Sequence, residues 1–161
     1  MCKGKSFKQN CNIWKISMDF NGTFTVKAPA SEVYKFILDP QKLVGCIPGF
    51  KELSVVSPDE FNVVVRAGVA FIKGDFKINM KIVEKEEPKY AKITGNGQGL
   101  GGTLDLEATI NLKEENGEAS MEWKADAKVG GKIASLGQRM IGRQAEKIIT
   151  ELFEGIKKNF Q

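Results

Sequence analysis

The sequence predicts an α+β fold in which a curved antiparallel sheet wraps around one long C-terminal helix. Three observations carry this. Apolar and polar residues alternate in a series of short runs between residues 51 and 129. After Val129 the apolar period changes from two residues to that of a helix. Each alternating run has one apolar face, and a long amphipathic helix is the natural cover for such a sheet.

The elements follow in order. From Ile16 to Ala28, Phe20, Gly22, Phe24 and Val26 share one face, and Asn21, Thr23, Thr25 and Lys27 the other, as in a half-buried strand. Ala28-Pro29 breaks it, and Pro suits the first turn of a helix. Val33, Phe36 and Ile37 then have helical spacing, which predicts a short helix from Ala30 to Leu38. Asp39-Pro40 ends it and opens a second, brief helix with Asp39 as N-cap, closing near Cys46-Ile47-Pro48-Gly49.

Strands follow over Lys51 to Val56, Glu60 to Ile72, Asp75 to Glu84, Tyr90 to Gly95, Thr103 to Lys113 and Ala119 to Val129. Asn116-Gly117 marks a tight hairpin between the last two. Ile133, Leu136, Met140, Ile141, Ile148, Ile149, Leu152, Phe153 and Ile156 keep helical spacing. A helix from Lys132 to Lys158 would run for about 40 Å at 1.5 Å per residue. Leu136, Met140, Ile148 and Leu152 are expected buried on it, with Arg139, Arg143 and Lys147 exposed.

Composition narrows the function. At 161 residues, 42% apolar and 27% charged, the chain suits one soluble domain. Residues 18–161 form that domain. Residues 1–17 read as an extension outside the core, because they carry Lys3, Lys5, Lys8 and Lys15, no acid and no period. The net charge of +4 comes wholly from this extension. The remaining 20 basic and 20 acidic groups balance, which argues against nucleic-acid binding.

No run is apolar enough to span a membrane, and no secretory h-region follows the start. Three cysteines without ligand spacing fit a reducing cytoplasm. Histidine is absent, which removes the commonest general base and metal ligand. No metal, cofactor or catalytic residue is expected.

Several motifs together resemble a known family. These are Ala28-Pro29 with Val33, Asp39-Pro40, Leu43 and Cys46-Ile47-Pro48-Gly49; Gly68 with Lys73-Gly74 and Phe76; Gly95, Gly97, Gly99 and Gly102; and Gly130-Gly131-Lys132-Ile133-Ala134 with Leu136-Gly137. They resemble the carbon monoxide dehydrogenase CoxG family over about residues 18–160. That family lies within the START-like, helix-grip superfamily, also called SRPBCC, polyketide cyclase-like or Bet v 1-like. The resemblance implies a sheet gripping the last helix over an internal cavity. It also implies association with aerobic, molybdenum-containing carbon monoxide dehydrogenases or related hydroxylases, in assembly or membrane recruitment.

Small inward residues set among large ones point to an apolar pocket between sheet and helix. Its expected lining is Phe24, Val65, Ala67, Phe71, Phe76, Ile78 and Met80 on the first strands. Leu106, Ala108, Trp123 and Ala125 follow on the later ones, with Leu136 and Met140 from the helix. The expected mouth is Cys46, Ile47, Pro48 and Gly49 with Gly97 and Gly99. The expected guest is mostly hydrocarbon, such as a quinone or lipid. The partners implied are that guest and molybdenum hydroxylase subunits, with no nucleic acid. The expected location is the cytoplasm, with peripheral contact at the inner membrane face left open.

Gly97 to Gly102 also matches G-x-G-x-x-G, but a strand follows where a dinucleotide site needs a helix. A strand bend or bulge is the simpler reading of those glycines. Cys46 reads as a packed thiol, since no imidazole exists to activate it. Two functions remain. One is a non-catalytic binding or assembly protein. The other is a small cyclase- or hydratase-type enzyme on an apolar substrate, which would need acid or base groups in the cavity.

Overall fold

The structure, a computed structural model, describes residues 15–69 and 72–160. Strand β1 (Lys15–Val26) leads into α1 (Ala30–Leu38) and α2 (Pro40–Leu43), then a 3₁₀ turn over Val44–Cys46. Six strands follow: β2 (Phe50–Ser57), β3 (Glu60–Val69), β4 (Ile72–Glu86), β5 (Tyr90–Gly99), β6 (Gly102–Glu115) and β7 (Glu118–Gly131). A second 3₁₀ turn, Lys132–Leu136, precedes α3 (Gln138–Lys158). All strand pairs are antiparallel, in the order β1-β7-β6-β5-β4-β3-β2. This is the expected sheet around a C-terminal helix.

Local chemistry explains the boundaries. The Asp39 carboxylate accepts from the Gln41 backbone N–H at 3.0 Å, capping α2 as anticipated. Asn116 and Gly117 both take positive φ, 55° and 77°, which the tight β6–β7 hairpin requires. The Glu114 side chain accepts from the Ala30 N–H at 2.7 Å, tying the first turn of α1 to β6.

Three expectations need correction. The last helix is not continuous from Lys132, because Gly137 sits at φ 93° and splits a 3₁₀ turn from a 21-residue α3. Strand β1 begins at Lys15, so Lys15, Ile16 and Ser17 of the supposed extension pair with β7. Residues 1–14 of that extension lie outside the described residues. Finally, β5 continues through the glycine-rich stretch to Gly99.

That last point has a steric reason. A Cβ on Gly95 would lie 2.8 Å from Met80 Sδ. A Cβ on Gly97 would collide with the Phe76 ring. The glycines let large β4 side chains lie flat across β5.

The register sorts the inward residues into cross-strand rows. Phe24, Met121 and Leu112 form one row, and Phe20, Ala125, Ala108 and Ile93 another. Met18, Ala127, Leu106, Gly95 and Met80 form a third. The ends of the concave face are packed. At one end Phe24, Val33, Phe36, Met121 and Ile156 belong to one buried cluster. At the other, Met18, Phe76, Val129, Ile133 and Ile141 form a second. A third, smaller cluster joins Val44, Phe61 and Val63.

Candidate binding cavity

Between these clusters the concave face changes character. Ile93, Leu106, Ala108 and Ala125 belong to none of the three clusters and are only half-buried. On the same sheet Ile110 and Val63 are 6% and 3% exposed. Backbone exposure on the outer face therefore does not account for the difference. Access to Leu106 and Ile93 comes from the concave side, where the sheet and α3 stand apart.

The helix shows the same gap. Ile141 is buried in one end cluster and Ile156 in the other. Between them Ile148 is 36% exposed, and nearer the start Met140 is 43% exposed. Both were expected to be buried, and neither is. Helical periodicity marked the apolar face, but the sheet curves away from its middle. Arg139, Arg143 and Lys147 are exposed as expected, and Leu136 and Leu152 are half-buried.

The anticipated lining divides accordingly. Ala108, Ala125 and Leu106 stand at the gap. Val65, Ala67, Ile78, Met80 and Trp123 are half-buried around it. Phe24 and Phe76 are core: Phe24 is 4% exposed with its ring 5.0 Å from that of Phe153, and Phe76 is 8% exposed. Trp123 leans on Phe153, with ring centroids 5.2 Å apart. A Cβ on Gly22 would lie 3.0 Å from the Trp123 ring, so that glycine's small volume is taken up by the indole. Phe71 lies outside the described residues. Ile93 was missed, although it alternates with Gly95 on the same strand face.

The anticipated mouth also divides. Ile47 and Pro48 are half-buried and Gly49 is exposed, with φ 77° and its carbonyl accepting from the Arg66 N–H at 2.7 Å. Gly97 is buried under Phe76 inside the sheet, and half-buried Gly99 ends the strand. Neither opens onto the gap, because Phe76 covers them. Cys46 is buried against α3, where a Cβ on Gly155 would lie 3.1 Å from Cys46 Cβ.

The central rows carry no acid or base among the described residues. Arg66 and Asp75 point outward and pair at 3.7 Å. Glu107 and Asp126 also face outward, directly opposite each other with Asp19 on the next strand. They border a shallow outer trough of about 690 Å³. Among the described residues no group of three or more His, Cys, Asp or Glu could hold a metal ion, and no helix is long and apolar enough to cross a membrane.

The family model for the carbon monoxide dehydrogenase protein CoxG matches residues 22–161. The chain belongs to that family. No curated protein matches the chain. Among solved structures, a conserved protein from Geobacillus kaustophilus is similar at 30% identity and TM-score 0.83, over 89% of this chain and 95% of that one. A START superfamily protein from Mycobacterium smegmatis is similar at 12% identity and TM-score 0.67, over 88% and 96%. Norcoclaurine synthase from Thalictrum flavum is similar at 15% identity and TM-score 0.63, over 97% and 94%. The last two likenesses show a shared START-like, Bet v 1-like fold.

Membership in the CoxG family supports a binding or accessory role. In this family member the Cys46-Ile47-Pro48-Gly49 segment clamps the end of α3 to the start of β2. The Asn159 side-chain amide donates to Cys46 Sγ at 3.8 Å and to the Gly155 carbonyl at 2.9 Å. Burial pushes the Cys46 thiol up, which keeps it a protonated packing group. Alkylation of Cys46 in the native protein, followed by mass spectrometry of its peptide, should therefore be much slower than in denaturant. Equal rates would show that the clamp opens freely.

Proposed function

We propose that this protein is a non-catalytic carrier or assembly and recruitment factor that holds an apolar guest between α3 and the central sheet rows. The guest is quinone-like or lipid-like, and the enzyme served is an aerobic carbon monoxide dehydrogenase-type molybdenum hydroxylase. One observation carries the binding part. Large apolar side chains that face the helix in mid-sheet stay accessible, while both ends of the same face are packed. An apolar space of this kind stays dry and accepts hydrocarbon. The association with a hydroxylase rests on the family name alone. The absence of acid or base groups from the central rows speaks against the cyclase or hydratase alternative.

The test is uptake of a neutral apolar probe such as N-phenyl-1-naphthylamine by the purified chain. Saturable fluorescence enhancement, competed by a long-chain quinone or alcohol, is expected. No enhancement at any concentration would retire the cavity.

A further inference from the structure

The opening beside α3 has a chemistry of its own. Met140, Arg143, Gln144, Lys147 and Ile148 fall at i, i+3, i+4, i+7 and i+8, so they share one stripe of the helix surface. One flank of α3 is closed against β1 and β7, where Gly142 faces Met18 and Phe153 packs on Phe24 and Trp123. The other flank turns toward β3, β2 and the 3₁₀ turn, at the opposite edge of the curled sheet. There Gly155 seals against Cys46. Two turns earlier on the same line, Ile148 is exposed. The unsealed flank therefore runs from Met140 to Ile148, about 12 Å at 1.5 Å per residue.

Its rim is apolar and cationic. Arg143 and Lys147 are exposed and make no ion pair with any described residue. Glu151 lies one turn beyond Lys147 without pairing to it. Across the gap the inward residues of β3 are Val63, Val65 and Ala67, none of which can neutralise a cation. The nearby Arg66 and Lys51 are already engaged by Asp75 on the outer face. A wholly neutral guest would leave both rim cations unused.

We infer that the guest is a single-chain amphiphile with an anionic head. Its hydrocarbon lies against Leu106, Ala108 and Ala125, and its carboxylate sits on Arg143 and Lys147. This rests on the cavity proposed above and adds the charge of the ligand. A guanidinium matches a carboxylate through paired N–H donors, and a partly dehydrated rim strengthens that contact. Raised salt should weaken binding of the anion and not of a neutral analogue.

The test compares dodecanoate with dodecanol, both below micelle formation, as competitors of N-phenyl-1-naphthylamine. The double variant Arg143→Gln, Lys147→Gln should weaken dodecanoate about tenfold, the worth of one charge-assisted hydrogen bond. It should leave dodecanol unchanged. Lys113→Gln, on the β6–β7 hairpin, should change neither. Both rim side chains are exposed, so the variant keeps its fold, which circular dichroism checks. If dodecanoate and dodecanol weaken equally, or not at all, the anionic head is overturned and the cavity stands. Association with phosphatidylglycerol vesicles without uptake of monomeric dodecanoate also overturns it, by placing the cations at a membrane surface. If no probe or amphiphile binds, the cavity fails and this inference with it.

Discussion

Ile156→Lys should abolish folding or cost about 4 kcal/mol or more, while Ile148→Lys should cost within about 1 kcal/mol. Both are isoleucines on the apolar side of α3, and sequence periodicity treats them alike. Their surroundings differ. Ile156 is 1% exposed and packs in the cluster that holds Val33, Phe36 and Met121. A lysine there would bury an ammonium with no partner, and the whole domain has only about 5–15 kcal/mol to lose. Ile148 stands on the unsealed flank, where a lysine can extend its stem along apolar surface and leave the charge in water. Urea denaturation of both variants measures the contrast. A loss of several kcal/mol at Ile148 would mean that the helix is sealed along its length.

Ala125→Phe should remove probe uptake with a stability loss under about 1 kcal/mol. Ala125 pairs with Phe20 on β1 and Ala108 on β6, in a row that continues to Ile93. It faces the gap between the two end clusters. A phenyl group at this position enters unfilled space and takes the place of the guest. In a packed interior the same enlargement costs about 1–3 kcal/mol by forcing neighbours off their rotamers. Calorimetric melting and probe titration on one preparation separate the two cases. Strong destabilisation together with retained uptake would place the guest elsewhere.

The strands were legible because a half-buried sheet imposes a period of two, and their faces agree with the register in β3, β4, β6 and β7. The start of α3 was less legible. Lys132 to Lys158 keeps its apolar period straight through Gly137, and only the backbone conformation there reveals the break. The glycines of β5 suggested an open mouth because a sequence shows missing side chains and not what covers them. Phe76 and Met80 cover them, from a neighbouring strand.

By itself the sequence determined the element order, the inward face of nearly every strand, the α2 cap at Asp39 and the family. These depend on local period and local hydrogen bonding, which neighbouring residues in the chain specify. Only the tertiary structure decided which apolar residues are packed and which border space. That follows from how far the sheet curves from α3 at each level, a distance set by side chains far apart in sequence. So Phe24 and Ala125, alike in pattern and on the inner faces of adjacent strands, separate into a core residue and a candidate cavity wall.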